Sequence, residues 1–62
     1  MTKELALSNA RIALAHAAVK LDEISIMYSN GLATKEEALK AYREFAHAEV
    51  TVMCCQIDLD LA

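Results

Sequence analysis

Ser29-Asn30-Gly31-Leu32-Ala33-Thr34-Lys35-Glu36-Glu37 decides the fold. It holds the chain's one glycine, and the sequence has no proline. Gly31 suits the left-handed position just past a helix end, with Leu32 folding back toward Met27 or Ile26. Thr34 followed by Glu37 spells a capping box: the hydroxyl accepts from the third helical amide and the carboxylate returns to the threonine amide. A stop signal followed so closely by a start signal predicts two helices joined by a turn over 30–34. A connection this short forces them to run antiparallel.

Working outward, apolar residues recur at alternating spacings of three and four on both sides. Before the turn these are Leu7, Ala10, Leu14, Ala17, Leu21, Ile24 and Tyr28; after it, Ala38, Ala41, Phe45, Ala48, Val52, Cys55 and Leu59. Such spacing marks heptad seams. Alanines on one set of positions and larger side chains on the other let facing layers interdigitate. The pattern predicts helix 1 over about 3–29 and helix 2 over about 35–57. Ile57-Asp58-Leu59-Asp60-Leu61 alternates apolar and acidic residues, and its aspartates oppose the negative end of the helix dipole. A frayed tail over 58–62 is therefore expected, with an extended docking arm as the alternative. Leu7, Leu14, Leu21, Ile24, Phe45 and Val52 are the expected core and dimer-seam residues.

A second apolar stripe has no place in a single hairpin. Leu5, Ile12, Val19 and Ile26 recur every seven residues, about 140° round the helix from the first seam. Helix 2 repeats the feature with Leu39, Ala46 and Met53, and with Val50 and Ile57. One hairpin has only one inside, and exposed aliphatic patches mark interaction sites. Two hairpins forming a four-helix bundle is the simplest solution. The expected fold is thus all-α, one antiparallel hairpin over 1–62 that dimerises.

The chain has 62 residues, 56% apolar and 24% charged, with a net charge of −3. A chain so short buries only about 60% of its unfolded surface, so self-association is a ready route to stability. The acidic balance argues against non-specific binding of nucleic acid or anionic membranes. The stretches without Asp, Glu, Lys or Arg over 12–19, 24–34 and 50–57 are far shorter than the roughly 20 residues of a membrane span. The N-terminus, with Lys3, Glu4 and Arg11, lacks a signal-peptide core, so a soluble cytoplasmic protein with no membrane partner is expected. Adjacent Cys54 and Cys55 have Cα atoms about 3.8 Å apart, too close for an ordinary disulfide; they read as small apolar residues.

Catalytic chemistry finds little footing. His16 and His47 fall in one layer of the hairpin, close to Glu44 and Glu49. Neither helix carries a His-x₃-His or Glu-x-x-His pair, and no metal or cofactor is expected. There is no nucleophile elbow, glycine-rich phosphate loop or paired-cysteine zinc pattern. Asp22-Glu23 and Glu36-Glu37 read as solvated or first-turn carboxylates. The chain reads as non-enzymatic.

The Met1-Thr2-Lys3 start, the Ala6-Leu7 with Ala10-Arg11 segment and the turn near residue 30 give a resemblance covering most of the length. In these features the chain resembles the Rop family of RNA-one modulators, antiparallel four-helix dimers that help complementary RNA loops pair. That resemblance implies an RNA-binding face on helix 1, at Lys3, Ser8, Ile12, His16 and Glu23. Only Lys3 keeps the family's residue type, and a carboxylate stands in place of a lysine at Glu23. Phosphate recognition needs cations along one face, and helix 1 has Lys3, Arg11 and Lys20. In size, acidity and surplus apolar surface the chain also resembles small phage- and plasmid-encoded helical inhibitors. Among these are anti-activators that occlude a transcription factor's DNA-binding domain, and anti-defence proteins that inhibit a host defence protein. A dimeric inhibitor of a host protein with a basic surface is the leading expectation. Ile12, Val19, Ile26 and Tyr42 would anchor it, and Asp22, Glu23 and Glu44 would steer approach. A Rop-like RNA-binding modulator of plasmid copy number is the alternative.

Overall fold

Thr2 opens the first helix: its hydroxyl accepts from the Leu5 amide at 3.0 Å and its carbonyl from the Ala6 amide at 3.0 Å. The first satisfies an amide that a helix start otherwise leaves unpaired, and the second is the first regular bond of the helix. A computed structural model describes residues 2–61. In it α1 spans Lys3–Ser29 and α2 spans Lys35–Leu61, 27 residues each. Among the described residues there is no strand.

The turn closes through backbone bonds that only a left-handed residue permits. The Leu32 amide reaches back to the Met27 carbonyl at 2.8 Å, and the Gly31 amide to Tyr28 at 3.1 Å. This Schellman pair ends α1 with Gly31 at φ 75°. Leu32 stays largely exposed, so hydrogen bonding rather than apolar contact closes the turn. Three residues on, the Glu37 amide donates to Thr34 Oγ1 at 3.2 Å and the Thr34 amide donates to Glu37 Oε1 at 3.0 Å. The capping box is complete and reciprocal.

The helices pack antiparallel along the heptad seam as a rod of 47 × 14 × 14 Å. Leu7, Ala10 and Ala41 are buried, while Leu14, Leu21, Ile24, Phe45 and Val52 are half-buried. Among the described residues no side chain is completely buried. Tyr28, the last seam position of α1, is exposed; at that end of the rod α2 offers only its charged first turn, Lys35-Glu36-Glu37. The accessible surface is 4648 Å², against about 4,000 Å² expected for a compact chain of this mass.

The C-terminal segment departs from the sequence reading. Residues 58–61 are not a frayed tail: α2 continues through Leu61, and the remainder of that tail, residue 62, lies outside the described residues. Tertiary contacts offset the unfavourable charges. Lys3 Nζ donates to the Asp58 carbonyl at 3.4 Å, bringing a cation from α1 to the negative end of α2. Gln56 Nε2 donates to Asp60 Oδ1 at 2.9 Å, and Leu59 extends the seam half-buried.

Two expectations follow from the turn. A Cβ built on Gly31 would meet nothing within 4 Å, so substitution there costs only the left-handed conformation. Gly31→Val should lower stability by about 1–2 kcal/mol and Gly31→Asn by clearly less; Thr34→Ala should cost about 1 kcal/mol. Thermal melts check all three. The Thr34 amide and hydroxyl, both bonded to Glu37, hold its carboxyl below the ordinary range near 4.5. A lowered folded pKa means stabilisation that is complete above the unfolded pKa and lost as pH falls through the folded one. Melting temperature should therefore fall as pH drops below about 4.5, and Glu37→Gln should flatten that decline.

Candidate functional site

The cross-helix hydrogen bonds divide the rod into two broad sides. Arg11 Nη2 donates to Gln56 Oε1 at 3.2 Å across one flank of the seam. Lys20 Nζ pairs with Glu44 Oε2 at 3.3 Å across the other. With about 100° between successive residues, these two bonds fix the side to which every helical position belongs. On α1, the Arg11 side carries Ser8, Ala15, Ala18, Asp22 and Ser25, and the Lys20 side carries Ala13, His16 and Glu23. On α2, Leu39, Tyr42, Ala46, Glu49 and Met53 fall on the Gln56 side, and Glu37, Lys40, His47, Thr51 and Cys54 on the Glu44 side.

Directly away from α2 runs the outer ridge of α1. Leu5, Ile12, Val19 and Ile26 are each between 50% and 63% exposed. Four aliphatics in one row, all this open, form the most continuous apolar feature outside the seam. The outer surface of α2 is similar but broader, with Leu39, Tyr42, Val50, Met53 and Ile57 exposed.

The residues expected to bind a partner do not form one cluster. Ile12, Val19 and Ile26 share the ridge. Asp22 and Glu23 follow Val19 and flank the ridge on opposite sides of the rod. Tyr42 belongs to α2 on the Arg11 side, away from the ridge. Glu44 is engaged by Lys20 on the opposite side; as an exposed pair, the two contribute at most about 1 kcal/mol. The sequence reading missed how the cations of α1 are used. Lys3, Arg11 and Lys20 each donate to an acceptor on α2. The signal was present in the register, since each cation stands within about one helical turn of its acceptor's level.

His16 and His47 are both exposed. Cys54 is an exposed free thiol, and Cys55 is a half-buried one on the seam. Among the described residues, no group of three or more His, Cys, Asp or Glu is placed to hold a metal ion. No cavity forms among them, and no helix is long and apolar enough to cross a membrane. What the geometry offers is surface: an aliphatic ridge, two broad sides of different polarity, and no enclosed site. No protein-family model, curated protein or solved structure matches this chain.

Proposed function

We propose that the chain is a non-catalytic interaction protein. It pairs with a second copy into a four-helix bundle and seats the outer ridge of α1 in an apolar groove with a basic rim on a partner protein. By filling that groove it blocks the partner's own binding site. The observation that carries this reading is the exposed row Leu5, Ile12, Val19 and Ile26, because aliphatic rows of this kind are what helix-in-groove recognition uses. Asp22 and Glu23 beside the row, with a pI near 5.1, favour a positively charged rim over a phosphate backbone. The hydrogen bonds that tie Lys3, Arg11 and Lys20 to α2 add to that preference.

The test uses the whole chain immobilised in host lysate, with and without nuclease. A protein should be retained after nuclease treatment. Ile12→Ser and Ile26→Ser should each abolish retention while leaving helicity and mass unchanged, since both side chains already face solvent in the hairpin. Glu23→Lys should slow association and weaken its salt dependence, with dissociation little changed. Recovery of RNA alone, lost on nuclease treatment, would replace this reading with the Rop-like one.

A further inference from the structure

Along the Arg11 side of α1, Ser8, Arg11, Ala15, Ala18, Asp22 and Ser25 follow one another at spacings of three and four. Reversed, the row is complementary to itself. About a point between Ala15 and Ala18, serine answers serine, alanine answers alanine, and arginine answers aspartate. A surface that meets itself across a two-fold axis must be self-complementary in this sense. We infer that this side of the rod is where two copies of the chain pack, α1 lying antiparallel against the partner's α1 with Arg11 facing the partner's Asp22. The inference rests on the pairing proposed above and assigns it a face and a register.

Chemistry, charge and area converge on it. Ala15 and Ala18 at the centre allow the two helices to approach to about 8 Å. The Gln56 contact holds the Arg11 side chain on this side, and a guanidinium keeps further donors for a carboxylate. On α2, the same axis sets Tyr42 level with the partner's Met53. Both are exposed in the single hairpin, and an aromatic ring against a thioether is a favourable contact. The rod is 47 Å long and 14 Å across, so one side presents roughly 650 Å² in projection. Side-chain relief raises that toward the ~800 Å² per partner of a standard interface. A ridge-on-ridge contact through Ile12 and Val19 would be only one helix wide. Both sides carry charges, Glu49 among those on the Arg11 side, but where the Arg11 side offers Ala15, Ala18, Leu39, Tyr42 and Met53, the Lys20 side offers His16, Lys40, His47 and Thr51, which are costlier to desolvate.

Sedimentation of the full chain and its variants tests the register. Wild type should dimerise, and Arg11→Asp or Asp22→Arg alone should weaken the dimer roughly tenfold or more by setting like charges opposite each other twice. Mixing those two variants should restore dimers, because each then offers what the other lacks, and the doubly exchanged chain should dimerise like wild type. Restoration on mixing also shows that the single variants are folded. Single reversals without effect, or no restoration, would overturn this register while leaving the proposed pairing in place. So would a dimer lost to Ile12→Ser but indifferent to Arg11 and Asp22. A wild-type chain that stays monomeric at tens of micromolar would overturn the pairing itself.

Discussion

Everything in this molecule is conditioned by a turn that leaves the chain with a single inside. The Schellman bonds over Met27–Leu32 and the capping box at Thr34–Glu37 reverse the direction within a few residues. Two 27-residue helices are thereby committed to one antiparallel seam. Each helix can bury one stripe against the other. Any apolar residue off that stripe faces water, however well the helices fit. That is why Leu7, Ala10 and Ala41 are buried while Ile12, Val19, Val50 and Met53 are not. A longer connection would allow other crossings; this one does not.

The same constraint explains what could be read from the residues and what could not. The turn was legible because glycine, threonine and glutamate act locally, through bonds spanning three to five residues. The seam was legible because heptad spacing survives any detail of packing. The helical state of residues 58–61 was not, because its support comes from the far end of the chain: Lys3 reaches the Asp58 carbonyl only after the hairpin has closed. Local rules see two aspartates against a helix dipole and predict fraying. Tyr28 errs in the other direction, since its spacing is right but at its end of the rod α2 offers only its charged first turn, Lys35-Glu36-Glu37. The grouping of candidate site residues was equally non-local. Asp22 and Glu23 are neighbours in sequence yet fall on opposite sides of the rod, and Glu44 belongs with Lys20 rather than with either.

Polarity is divided between the two sides in a way composition conceals. The hairpin carries an ion pair on one flank and an arginine–glutamine bond on the other. Neither adds much stability where solvent screens it. Their consequence is registration, for they hold the helices at one rotation and so decide which residues share a side. A small rotation of either helix would leave the seam apolar but turn the Ser8–Ser25 row of α1 out of line with the Leu39–Met53 surface of α2. Weak surface bonds thus select among rotations that the seam alone would accept nearly equally.

Association and folding then become one question. With no side chain completely buried among the described residues, the seam supplies limited driving force against the entropy of ordering 27 residues in each helix. Covering one broad side stabilises the folded hairpin by mass action and leaves the unfolded chain untouched. Helix content should therefore rise with concentration, and a partner that occupied the same side would compete with self-pairing. With the proposed pairing, the ridge of Leu5, Ile12, Val19 and Ile26 would escape that competition, because it points directly away from α2, at the edge of the side the pairing would cover. A protein built this way can spend one face on its own stability and keep another for a partner. Two apolar surfaces on so short a chain are compatible with one folded state only because the turn sends them in different directions.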